Sequence, residues 1–233
     1  MEVIYEDNHI IIVNKKSGEI VQGDKTGDCP LSDLVKAYLK EKYQKPGAVF
    51  LGVVHRLDRP VSGLVMFART SKALSRLNDM FRKGEVHKTY WAIVSGEHLG
   101  SKGEDVGQWH TLEHWLVRNE KQNKSYAYDH EVPGSKHAVL KYRLIGYSDR
   151  YSLLEINLMT GRHHQIRCQL SAIGCPIKGD LKYGARRSNP DGSISLLSRR
   201  MTFVHPISKE EITLESPLPV DNLWHSMKII GNL

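Results

Sequence analysis

The sequence lacks most of what would cross-link it, anchor it or export it. Of its 233 residues only three are cysteine, Cys29, Cys168 and Cys175. The number is odd and no pair has metal-ligand spacing, so neither a disulfide framework nor a zinc site is expected. Unpaired thiols fit a reducing, cytoplasmic compartment. No apolar run approaches the roughly 20 residues that span a bilayer. The opening stretch MEVIYEDNHIIIVNK lacks the basic-then-apolar order of a signal peptide. No internal repeat and no linker-like break appears, so a single domain over residues 1–233 is expected. Acidic excess is missing too. Lys plus Arg is 33 against 26 for Asp plus Glu, a formal charge of +7. That balance permits a polyanionic partner without requiring one. With 40% hydrophobic and 25% charged residues, what remains is ordinary globular composition.

Periodicity gives a mixed set of elements. Short strands are predicted around Val3–Tyr5 and Ile10–Val13, with a polar loop from Lys15 to Gly27. A helix opens at Pro30, carries Leu31, Leu34, Val35, Tyr38 and Leu39 on one face, and ends before Pro46. Leu64–Ala68 reads as a buried strand. Thr70 caps a helix that Gly84 stops. Lys88–Val94 alternates as a strand. From 97 to 137 strand character fades, and only Trp109, Leu112 and Trp115–Val117 suggest anchors to the core. Ala138–Ile145 and Tyr151–Leu158 suggest a hairpin turning at Asp149–Arg150. Thr160 is expected to open a helix that ends at Gly174. Closing strands are predicted at Leu196–Leu197, Met201–Val204 and Glu211–Glu215, with a terminal helix over Leu223–Ile230. Irregular alternation with neighbouring strands predicts an α+β fold, a mixed, mainly antiparallel sheet with flanking helices.

One stretch organises the rest. Residues 52–70, GVVHRLDRPVSGLVMFART, set a carboxylate among two arginines and a histidine immediately before the buried strand. Such a carboxylate can stay ionised while partly dry, as a nucleophile or base requires. The alternative is a capped turn with a structural ion pair. The motif HRLDRPVSGL resembles the signature of the RluA-type pseudouridine synthases. The resemblance continues at KTYWAIVSG (Lys88–Gly96), LMTGRHHQIR (Leu158–Arg167) and GCPIKGDLKYG (Gly174–Gly184), in the same order and at similar spacing. It implies a curved sheet with a central cleft. It also implies an enzyme that isomerises uridine to pseudouridine in structured RNA, ribosomal or transfer, rather than DNA. No cofactor and no metal are implied. Many relatives place a small RNA-binding domain ahead of the catalytic region; here that region starts near Met1, so no such extension is expected. No self-association surface is evident, and a monomer is the default.

By this resemblance Asp58 is the catalytic aspartate. It would attack the sugar C1′ or uracil C6, or take a proton from C2′, and the sequence leaves these routes open. Arg167 would pair with it and hold it ionised. Ile166 would pack on the base. Tyr90 would stack on the flipped uracil or take part in proton transfer at C5. Arg56 would fill the gap left in the RNA stack, and Arg59 would face phosphate. Arg162 and His163 would meet a phosphate at the expected helix N-terminus. The charged residues of the next motif, among them Lys178, Asp180, Lys182, Arg186 and Arg187, would line the RNA backbone. Departures from the family pattern are Val61, where many relatives have threonine, and His163, where many have threonine or serine. A non-catalytic RNA-binding protein of the same fold is the competing reading. A hydrolase would need a metal or a second carboxylate, and neither is suggested.

Overall fold

The structure is a computed structural model that describes residues 1–95 and 106–230. Gly96, the end of the KTYWAIVSG motif, and the first part of the apolar-poor stretch lie outside the described residues. In chain order the strands are β1 (Glu2–Glu6), β2 (Ile10–Lys15), β3 (Gly52–Val53), β4 (Ser62–Ala68), β5 (His87–Val94), β6 (His110–Asn119), β7 (Lys124–Tyr128), β8 (Lys136–Tyr147), β9 (Ser152–Leu158), β10 (Leu196–Val204), β11 (Glu211–Glu215) and β12 (Lys228–Ile229). The helices are α1 (Leu31–Lys42), α2 (Ser71–Lys83), α3 (Gln165–Ala172) and α4 (Asn222–Ser226). Every strand pair with a described register is antiparallel, and the class is α+β. The residues group into two compact units, one of Met1–Lys88 with Ser198–Pro217, the other of Thr89–Leu197 with Leu218–Leu233.

In the first unit β2 pairs with both β1 and β4. Ile10 and Ile12 of β2 join Leu64, Met66 and Ala68 of β4, and Ala73 and Leu77 of α2, in one fully buried cluster. Each isoleucine, leucine or methionine among them stabilises the fold by about 1.5–3 kcal/mol. Helix α2 starts where Thr70 Oγ1 accepts the Ala73 N–H at 3.1 Å and ends at Gly84, whose φ is +75°. Glu6 fastens α1 to β1: its carboxylate accepts from Tyr38, Lys42, Tyr43 and Arg69. Leu34, expected in the apolar face of α1, is exposed; Leu31, Val35 and Leu39 carry that face instead.

Gly63 leaves no room for a side chain. Its φ is +112°, and a Cβ there would overlap the Ser198 carbonyl oxygen. Gly63→Ala should therefore cost roughly 3 kcal/mol or more. Urea unfolding of the purified variant checks this, and a loss below 1 kcal/mol would refute it.

In the second unit the described pairings run β5–β9–β8–β6–β7. Strands β6 and β7 correct the expectation that strand character fades there. Their alternation is hidden because polar side chains occupy inward positions. His114 is buried, and the Gln169 amide of α3 lies 3.0 Å from its Nδ1 and donates to the carbonyls of Leu112 and Ala138. The sequence also starts α3 too early. Thr160 lies before the helix; its hydroxyl accepts the Val139 N–H at 2.9 Å and donates to Gln165 Oε1 at 2.8 Å. The terminal segment forms the short α4 and then β12 rather than one helix.

Candidate active site

Asp58 sits in a turn that the end of β2 holds by its carbonyls. The Val61 N–H donates to the Asp58 carbonyl at 3.0 Å and closes the turn. Lys15, wholly buried, points its ammonium at the carbonyls of Lys16 (3.0 Å), Arg59 (3.0 Å) and Val61 (2.6 Å). Ser17 Oγ donates to the Pro60 carbonyl at 3.2 Å, and the Gly18 N–H to the Arg59 carbonyl at 2.9 Å. Three successive carbonyls after Asp58 are thus fixed from one side, which sets the backbone that aims its side chain. Burial pushes the Lys15 ammonium down to about 8; Glu19 and Asp58 pull the other way. The sequence placed Lys15 at the start of a polar loop and assigned it no role.

Lys15→Met should leave these buried carbonyls without their donor and cost about 2–4 kcal/mol. Denaturant unfolding measures that loss. Faster proteolysis between Lys16 and Val61 should accompany it, and an unchanged midpoint would refute the assignment.

The neighbours of Asp58 divide by burial. Arg56 is exposed, Leu57 is core, and Asp58 is half-buried. Arg59 is exposed and pairs with Asp28. Val61 packs in the core. His55 lies under the turn: its Nε2 accepts the Met66 N–H at 3.0 Å and its ring stacks on Phe81. Burial, with Lys88 nearby, drives its pKa down to about 3, so this imidazole is neutral.

In the second unit Tyr90 is buried in β5, opposite Ile156 of β9. Ile166 and Arg167 lie in the first turn of α3, and both are buried. Arg167 meets Asp180 in a fork, Nε to Oδ2 at 2.6 Å and Nη2 to Oδ1 at 2.9 Å. Its guanidinium also stands 5.0 Å from the centre of the Tyr183 ring. The expectation that Asp180 lines an RNA-facing surface is corrected: at 1% exposure it is interior, because its carboxylate neutralises a buried guanidinium.

The loop before α3 is ordered by its own side chains. His164 has φ +52°, a left-handed conformation that costs a histidine energy. Its Nδ1 meets the Tyr183 hydroxyl at 3.0 Å, and that hydroxyl accepts the Ser125 N–H at 2.8 Å. The Tyr183 hydroxyl thus joins α3 to β7. Burial and the Arg167 charge press the His164 pKa to about 2, and burial raises that of Tyr183, so both are neutral. His163 stacks on His164 and reaches Ser125 Oγ at 2.9 Å and Asn123 Oδ1 at 3.1 Å. Arg162 Nε donates to the His137 carbonyl, and Lys182 Nζ to the carbonyls of Gln122 and Asn123. Lys178 Nζ donates to Asn189 Oδ1 at 2.6 Å. Arg186 and Arg187 are exposed. Of the expected phosphate contacts, Arg162, His163, Lys178 and Lys182 thus also tie loops together. Among the described residues no cluster of three or more His, Cys, Asp or Glu is placed to hold a metal ion, and no helix is long and apolar enough to cross a membrane.

The family model described as RNA pseudouridylate synthase matches residues 9–172, which include the Asp58 turn, β5 and the start of α3. The chain belongs to that family. It is an RNA pseudouridine synthase, an isomerase, and the RluA-type resemblance of its motifs holds. An uncharacterized RNA pseudouridine synthase of Bacillus subtilis is 32% identical over 232 residues, 95% of this chain and 70% of that relative. Ribosomal large subunit pseudouridine synthase D of Zymomonas mobilis is 30% identical over 243 residues, 100% of this chain and 74% of that one. Among solved structures, human RNA pseudouridylate synthase domain containing 4 has a TM-score of 0.78, covering 99% of this chain and 95% of its own. At 21% identity that likeness is one of fold.

Proposed function

We propose that this synthase isomerises specific uridines in structured ribosomal RNA, with Asp58 as the group that starts the reaction after the target base has flipped out. Uracil is released from its ribose, turned, and rejoined through carbon; no atom is gained or lost, so the residues need only hold, ionise and move a proton. The observation that carries the reading is the Asp58 turn, in which Lys15, Ser17 and Gly18 bind the three following carbonyls and present a half-buried carboxylate. Arg167 and Tyr90 act on the same nucleotide, Arg167 as the cation that keeps the carboxylate ionised, Tyr90 as the aromatic surface for the base. Ile166 packs against that base. Exposed Arg56 enters the RNA stack, and Arg59, Arg162, His163, Lys178, Lys182, Arg186 and Arg187 meet phosphate. The chain crosses between its two units at residues 88–89, 197–198 and 217–218, which favours one catalytic domain over two independent ones. Relatives named for the ribosomal large subunit favour ribosomal RNA as the substrate, and a monomer working in the cytoplasm is part of the same proposal. Flipping costs least at loops and helix ends, so those are the expected targets.

The test incubates purified protein with unmodified large-subunit ribosomal RNA and, separately, with unmodified tRNA. Pseudouridine should appear at discrete positions in the ribosomal RNA. Modification of tRNA alone would move the substrate assignment, and no pseudouridine in either would leave an RNA-binding protein without the reaction.

A further inference from the structure

A guanidinium buried to 5% exposure has to be neutralised locally, and Asp180, at 1% exposure, does this for Arg167. The pair is a planar fork, with bonds of 2.6 and 2.9 Å on the Nε and Nη2 corners. A carboxylate that grips two corners of a guanidinium fixes its plane and the direction of the third, which a single charge contact would not do. The Tyr183 ring lies across the cation at 5.0 Å, and the Tyr183 hydroxyl is bound in turn to Ser125 and His164.

Asp180 is itself held in one place. Its N–H donates to the Ile177 carbonyl at 3.0 Å, and its carbonyl accepts from Tyr183 and Ala185. The preceding Gly179 has φ +90°, and a Cβ there would stand 2.6 Å from the Ser193 carbonyl oxygen and 2.8 Å from the Asn189 amide carbon. The loop therefore has little freedom to carry the carboxylate elsewhere. A buried ion pair is a poor way to gain stability, because apolar side chains of the same volume do as well or better. What the fork adds is orientation.

We infer that Asp180 is a positioning residue of the isomerisation: it acts through Arg167, aiming that guanidinium without touching the RNA. The inference rests on the proposed role of Arg167. It makes the GDLKYG segment, through its Asp and Tyr, part of the catalytic support rather than an RNA-gripping surface.

The experiment measures single-turnover pseudouridine formation at saturating RNA, RNA affinity by filter binding, and thermal unfolding. The variants are Asp180→Asn, Arg167→Met and the two combined. Asp180→Asn should slow the reaction about 10- to 100-fold, as small misplacements of a reacting group do. RNA affinity should stay within about threefold, because an interior side chain cannot contribute a phosphate contact. The combined variant should be no slower than Arg167→Met alone. A partner in a fold-stabilising ion pair only would lower the melting temperature but leave the rate of the folded protein unchanged. A rate within threefold of wild type for Asp180→Asn, or additive losses in the combined variant, overturns the inference. Should Asp180→Asn fail to fold, Asp180→Glu takes its place with the same expectations, since it keeps the charge and shifts it by one methylene. Failure of the underlying reading looks different: Arg167→Met would then work at the wild-type rate, or the wild-type protein would make no pseudouridine, and both ideas fall together.

Discussion

Asp58→Asn should reduce single-turnover pseudouridine formation by about 10⁴-fold or more while RNA affinity stays within a few-fold. In barrier terms this is about 5 kcal/mol. A carboxamide has the size of a carboxylate, but it is neither a nucleophile nor a base at neutral pH, so all three open routes fail with it. The fold around it should survive, because the ties that hold the turn run to backbone carbonyls from Lys15, Ser17 and Gly18. Binding should survive as well, since most of the grip on RNA comes from cations on phosphate. The two measurements needed are pseudouridine yield against time with protein in excess, and filter binding at fixed salt. An Asn variant that keeps its rate within tenfold of wild type removes Asp58 from the chemistry. A variant that loses binding and rate together assigns the residue to structure instead.

The parts of this molecule that could be read in advance are those whose physics is local. The apolar run of β4 and the Thr70 cap each follow from neighbouring residues, and the structure has both. Where the determining contact is distant, the sequence misleads. Lys15 reads as the first residue of a polar loop because its acceptors, Arg59 and Val61, lie 44 and 46 positions away. Strands β6 and β7 vanish into a polar stretch because Gln169 satisfies His114 from another element. The start of α3 moves five residues, from Thr160 to Gln165, because the Gln165 side chain folds back on the loop and accepts the Arg162 N–H at 2.9 Å. Of the candidate site, the motifs single out the segments, yet they cannot say which way Asp180 faces. A charged residue in a charged segment reads as surface until a buried cation is found to need it.

The second large effect is on stability in acid. Between pH 6.5 and 4.5 the unfolding free energy should fall by roughly 4 kcal/mol, through His55 and His164. Their pKa values in the folded protein are near 3 and near 2, driven down first by burial. In the unfolded chain a histidine titrates near 6.5. Below that pH the unfolded state binds a proton at each site and the folded state does not, so stability is fully present above about 6.5 and drains as pH falls. Each site contributes up to about 1.4 kcal/mol per pH unit, somewhat less for His55, which is not fully enclosed. The geometry says why neither ring accepts the charge. A proton on His55 Nε2 would face the Met66 N–H it now accepts, with Lys88 close by. A second proton on the buried His164 ring would add a positive charge beside Arg167, His163 and Lys182. Glu6 and Asp7, whose pKa values are lowered, act in the same direction only at still lower pH. Urea unfolding at pH 7, 5.5 and 4.5 gives the slope, and His164→Asn should roughly halve it, asparagine being a non-glycine replacement that tolerates the left-handed backbone there. Because His55 holds the strand that leaves the Asp58 turn, loss of activity in acid should track loss of folded protein. A flat stability between pH 7 and 4.5 would mean that these imidazoles titrate freely and do not hold the site together.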